Sequence, residues 1–135
     1  MRELTLEAKV DNLNQVLAFV DGVLEEMDCP LRVQMQIDVA VEEVFVNIAS
    51  YAYAPGIGDA TIQVETEQDP PSLSVTFLDS DVPYDPLKKP DPDVTLSAEE
   101  RQIGGLGIYM VKKSMDDMRY AYRDGQNVLT IIKKL

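Results

Sequence analysis

The chain has 135 residues, 45% of them hydrophobic and 27% charged, enough for one hydrophobic core and too few for two, so a single domain over residues 1–135 is expected and disorder along its whole length is excluded. It contains no histidine and one cysteine, Cys29, which excludes Ser-His-Asp and Cys-His hydrolase designs, disulfide scaffolds and zinc fingers. The formal net charge of −12 argues against nucleic acid and anionic membranes as partners, yet residues 1–87 hold 3 basic and 17 acidic side chains whereas residues 88–135 hold 9 and 7, so an anion is better received in the C-terminal third. No segment reaches the ~18 apolar residues of a membrane span, and Met1-Arg2-Glu3-Leu4-Thr5 has no apolar run of the signal type, so a cytoplasmic protein is expected.

In chain order, Glu3 to Ala8 alternates in polarity and predicts a strand. Asp11 or Asn12 can cap a helix whose apolar positions Leu13, Val16, Leu17, Val20, Leu24 and Met27 recur at three and four residues. After Cys29-Pro30, the run from Leu31 to about Ala52 lacks Gly and Pro and is too long for a strand, so a second, mostly buried helix is expected, with Ile37, Ala40, Val41, Val44 and Ile48 inward. Pro55 to Asp59 breaks the chain. Residues 60–66 and 73–78 then alternate around Asp69-Pro70-Pro71-Ser72 and read as a hairpin. From Ser80 to Ile103 the pattern dissolves into a proline-rich loop, with Pro83, Pro86, Pro90 and Pro92. Gly104-Gly105-Leu106-Gly107 opens a third helix with Ile108, Val111, Met115 and Met118 inward, and residues 118–122 and 128–132 flank Asp124-Gly125 as a second hairpin. Helices grouped against such hairpins predict a two-layer α/β sandwich of the α+β kind, a mostly antiparallel mixed sheet with three helices on one face.

Three constellations carry chemistry. Glu43 and Asn47 lie four residues apart on one helix face, where a carboxylate can accept a hydroxyl proton and an amide oxygen can ligate a hard cation. Glu42 points elsewhere, and the pair can equally be a solvated helix face. Asp79 ends an apolar strand, where its carboxylate can accept an exocyclic amine or close an Asx turn. Gly104-Gly105-Leu106-Gly107 lets backbone N–H groups at a helix start approach phosphate oxygens, and it can also serve as a hinge or a tight packing point. Lys88, Lys89 and Arg101 in the preceding loop can offset phosphate charge or stay solvated.

Taken in order, these features resemble the nucleotide-binding boxes of the GHKL ATPase superfamily, and the chain is most similar to its short anti-sigma-factor serine kinases. Glu43-Val44-Phe45-Val46-Asn47 matches the N box. Asp79 to Pro86 matches the first glycine box and Gly104 to Val111 the second. The resemblance implies an ATP-binding kinase-like domain in which Glu43 is the catalytic base, Asn47 ligates Mg2+, and Asp79 contacts adenine. It also implies that Gly105, Leu106 and Gly107 hold the phosphates through their amides, that Thr130 in the last strand supports the adenine site, and that residues from about 80 to 104 form an ATP lid. The partners implied are a sigma factor, an anti-sigma-factor antagonist with a phosphorylatable serine, and a second copy of the chain. Two positions depart from the pattern. Asp81 stands where the first glycine box has Gly, with a left-handed backbone and an extra carboxylate as its expected costs, and Tyr51 stands where many members have histidine. Asp81 motivates an alternative, a non-catalytic regulatory module that keeps the fold without useful nucleotide binding.

Overall fold

The computed structural model describes residues 1–52, 58–83, 85–88 and 105–135. Residues 53–57, Tyr84 and residues 89–104, with Lys89, Arg101, Gly104 and most of the expected lid, lie outside the described residues. The chain opens with β1 (Arg2–Glu7), passes a 3-10 turn at Val10–Asn12 and enters α1 (Leu13–Glu26). Asn12 occupies the N-cap position without capping a helix N–H: its Nδ2 donates to the Glu7 carbonyl at 2.9 Å, and its Oδ1 accepts from the Gln15 side chain at 3.4 Å. At the other end Asp28 adopts φ 52°. Its N–H donates to the Glu25 carbonyl at 3.2 Å and the Cys29 N–H to the Leu24 carbonyl at 3.1 Å, the paired bonds of a Schellman closure that satisfies the last carbonyls of the helix.

Pro30, which has no N–H to leave unpaired, is the N-cap of α2 (Leu31–Asn47). The helical path continues as a π-helical turn over Ile48–Ala52, so its pitch changes just beyond Asn47. Strands β2 (Asp59–Gln68) and β3 (Pro71–Asp79) run longer than expected. Asp69 and Pro70 alone form the turn, and Pro71 and Ser72 already pair with Gln68 and Glu67. A 3-10 turn spans Pro86–Lys88, and α3 (Gly105–Ser114), β4 (Asp117–Arg123) and β5 (Gln126–Lys134) complete the chain. Met118, expected both on the inner side of the helix and at the start of the second hairpin, belongs to β4 alone, because α3 stops at Ser114, whose carbonyl accepts from Lys133 Nζ at 2.8 Å. Asp124 (φ 55°) and Gly125 (φ 75°) both lie in the left-handed region, which a two-residue hairpin of this hand requires and which Asp-Gly supplies at low cost.

The five strands lie in the order β1-β2-β3-β5-β4, and all four pairings are antiparallel, with no parallel component among the described strands. One face of this sheet carries Ile62, Val64, Val75, Phe77, Leu129 and Ile131 into a core shared with Val16, Val20 and Leu24 of α1, Ile37, Val41, Val44 and Phe45 of α2, and Val111 and Met115 at the end of α3. The apolar spacing of the helices is therefore the imprint of one two-layer core, with α2 packed between α1 and α3. The opposite face is polar over β1 and β2 and mixed over β3 and β5, and there Thr5 pairs its hydroxyl with Thr61 at 2.9 Å and Thr76 with Thr130 at 3.0 Å.

Between α1 and α2, Asp21 and Asp38 face one another, and Oδ1 of each is buried without a donor among the described residues. Two carboxylates can bond only by sharing a proton. Burial first, then the hydrogen bond and the charge of Asp21, raise the Asp38 pKa to about 7. The folded-state value lies above the unfolded one of about 3.9, so the stability this pair contributes is full in acid and is lost as pH rises through about 7. Asp38→Asn is accordingly expected to flatten the decline of the urea midpoint between pH 5 and pH 8 and to raise the midpoint at pH 8. An undiminished decline in the variant would show that the pair does not share a proton.

Candidate nucleotide site

On α2 the exposed Glu42 and the half-buried Glu43 separate as adjacent helical positions must, and Asn47 follows one turn after Glu43 on the same side, also half-buried. The first turn of α3 comes against this face. A Cβ built on Gly107 would overlap Glu43 Oε2 and stand 3.2 Å from its Cδ. A side chain at 107 could be accommodated only if the Glu43 carboxylate moved aside, so Glu43 abuts the residues from which the anion cradle was expected. Because α3 begins at Gly105, the N–H groups of Gly105, Leu106 and Gly107 have no partner within the helix. They stand at its positive end, a ready place for phosphate oxygens, with Glu43 beside them.

A second cluster forms where β3 ends. Asp79 is 7% exposed and shares the helix-bearing face of the sheet with Val75 and Phe77. Its Oδ1 accepts from Asn127 Nδ2 at 3.0 Å and from the Asp81 N–H at 3.2 Å. The second bond is an Asx turn, one of the two roles open to Asp79. Asp81 is not among the left-handed residues, so the backbone strain expected at this position does not arise.

Thr130 does not join this cluster. It pairs with Thr76 across the sheet, one step out of phase with Phe77 and Leu129, and so faces the side of the sheet opposite Asp79. The residue of the last strand that meets Asp79 is Asn127, its partner in the β3–β5 register. Tyr120 of β4 donates its hydroxyl to Asn127 Oδ1. Neither Asn127 nor Tyr120 was anticipated. The available signal was that Asn127 shares its strand phase with Leu129 and Ile131, an amide on an apolar track, but Val128 and Ile132 make the other phase equally apolar.

For magnesium the test is chemical. Among the described residues no three His, Cys, Asp or Glu side chains gather into a metal cage. Mg2+ ordinarily keeps several waters and takes few protein ligands beside substrate phosphates, so a single amide oxygen from Asn47, one helical turn beyond the Glu43 that abuts Gly107, fits it.

Residues 6–133 match the family described as histidine kinase-like ATPase domain. The chain is 30% identical over 100 residues to a serine/threonine-protein kinase, BtrW, of Bordetella bronchiseptica, covering 74% of this chain and 70% of that protein. It is also 26% and 28% identical over 131 residues to serine-protein kinases RsbW from two strains of Bacillus cereus, covering 94% of this chain and 81% of each relative.

Proposed function

The chain belongs to the histidine kinase-like ATPase family, and from that premise we propose that it is an ATP-dependent serine-protein kinase acting on an anti-sigma-factor antagonist and holding a sigma factor in check. The observation that carries the reading is Glu43 seated against Gly107 at the start of α3. A proton acceptor beside helix N–H groups that have no partner within the helix is the pairing that phosphoryl transfer to a hydroxyl needs. Kinase names borne by relatives that span most of the chain support the same conclusion.

In this reading the serine Oγ of the antagonist attacks the γ-phosphorus of ATP. A new O–P bond forms, the bond to the bridging oxygen breaks, ADP departs, and the hydroxyl proton passes to a carboxylate oxygen of Glu43. The amides of Gly105, Leu106 and Gly107 orient the phosphate oxygens and oppose their charge. Mg2+, held by the Asn47 side-chain oxygen, would supply further neutralisation of those oxygens. Asp79 accepts the exocyclic amine of adenine at the far end of the nucleotide. A sigma factor, the antagonist and a second copy of the chain are the proposed partners, and the cytoplasm, where sigma factors act, the proposed location.

Calorimetric titration of ATP with magnesium, followed by transfer of labelled γ-phosphate to a serine of an anti-sigma-factor antagonist, tests the reading. Saturable heat that weakens with EDTA, and acid-stable phosphoserine on the antagonist, are the expected results. Absence of heat up to millimolar ATP would overturn it.

A further inference from the structure

We propose that Asn127, held in place by Tyr120, sets the nucleobase selectivity of the site by leaving Asp79 a single oxygen for the base. The inference rests on the nucleotide-binding reading of Asp79 and deepens it. Asp79 and Asn127 are 7% and 6% exposed, so each of their polar atoms calls for a partner from the protein or from a ligand. A carboxylate oxygen accepts along two lone pairs. Both donors that Asp79 has among the described residues, Asn127 Nδ2 at 3.0 Å and the Asp81 N–H at 3.2 Å, fall on Oδ1. Oδ1 is therefore filled, and Oδ2 is the oxygen left to a ligand.

The orientation of the Asn127 amide is decided at its nitrogen end, where every neighbour is an acceptor. Its Nδ2 also donates to the Val82 carbonyl at 3.0 Å and approaches the Asp81 carbonyl at 3.4 Å, while its Oδ1 accepts from the Tyr120 hydroxyl. Turned over, the amide would set its oxygen against a carboxylate and two carbonyls, acceptor against acceptor, and would present its N–H group to the Tyr120 hydroxyl. Tyr120 lies diagonally from Asn127 on the same face of the β4–β5 pair, within reach of a long side chain. The result is a positioning chain from Tyr120 to Asn127 to Asp79 that also ties the backbone following β3.

The chemical consequence distinguishes the purines. Adenine presents one amine donor beside a ring acceptor, and one carboxylate oxygen satisfies it. Guanine presents adjacent N1–H and N2–H donors, which are best met by both oxygens of a carboxylate at once. A carboxylate with one oxygen already filled favours adenine. Asn127→Leu, which keeps the bulk and removes the donor, frees a lone pair of Oδ1 for the guanine edge.

The experiment is calorimetric titration of the full chain with ATP and with GTP, each with magnesium, for wild type, Asn127→Leu and Tyr120→Phe, with thermal melting to verify folding. The ratio of ATP to GTP affinity is expected to fall about tenfold in Asn127→Leu and about threefold in Tyr120→Phe, the scale of one charge-assisted hydrogen bond lost or loosened. A role confined to supporting the fold would weaken both nucleotides by one factor, and an unchanged ratio would overturn the proposal. If Asn127→Leu does not fold, Tyr120→Phe alone decides by the same criterion. A wild-type chain that binds neither nucleotide would remove the nucleotide reading, and this inference with it, a result separable from an unchanged ratio.

Discussion

Exchange of Glu43 for glutamine is expected to lower phosphoryl transfer to the antagonist by roughly 10²–10⁴-fold, the usual worth of a positioned general base, while ATP affinity stays near that of the parent. The substitution keeps the volume of the side chain and its fit against Gly107 but removes the ability to take the hydroxyl proton. It also removes a negative charge near the triphosphate, so any change in ATP affinity should be toward tighter binding. That direction separates a lost base from a damaged site. Glu42→Gln, on the exposed neighbouring position, is the matched control and should leave both quantities unchanged. Single-turnover transfer measured beside calorimetry reads the two effects independently, and transfer at the parental rate in Glu43→Gln would refute the role assigned to Glu43.

Gly107→Ala is expected to separate stability from activity. Alanine is the better helix former by about 0.5–1 kcal/mol, and the atom that its Cβ meets is the far end of a flexible glutamate rather than backbone. The fold should therefore tolerate the change, with a melting temperature equal to or above that of the parent. The Glu43 carboxylate must move aside, however, and displacement of a catalytic group by about 1 Å costs on the order of 10²-fold in rate. Because the loss acts through Glu43, it should not add to that of Glu43→Gln: the double variant should transfer phosphate no more slowly than Glu43→Gln alone. Additive losses would mean that Gly107 matters for another reason, such as closer approach of the phosphate to the backbone.

Much of the architecture could be read directly. Asp124-Gly125 specified its hairpin because two consecutive left-handed residues are required there and few other pairs accept them. The helices were legible from spacing: Val16, Val20 and Leu24, then Ile37, Val41 and Val44, are all fully buried. Element ends were less legible. Ser72 could pass for a turn residue until the register set it opposite Glu67, and Asn12 had the chemistry of a cap but found the Glu7 carbonyl instead.

Among site residues the division follows sequence distance. Glu43 and Asn47 could be placed together from the chain alone, since helical geometry fixes residues four apart. Thr130 was chosen from a strand whose phase is ambiguous, because Val128, Leu129, Ile131 and Ile132 are apolar on both faces. Only the pairing of β5 with β3 decided that Asn127, and not Thr130, meets Asp79.

What the amino-acid sequence determined by itself was therefore everything governed by local periodicity and local backbone preference: the helices, the hairpins, the Glu43–Asn47 face and the glycine-opened helix. Tertiary structure decided the meeting of Glu43 with Gly107, the sharing of a buried space by Asp21 and Asp38, and the capture of Asp79 by Asn127. Each of these joins atoms on different elements, and which atoms meet depends on strand register and helix packing, quantities set by burial of the whole core rather than by any short stretch of chain.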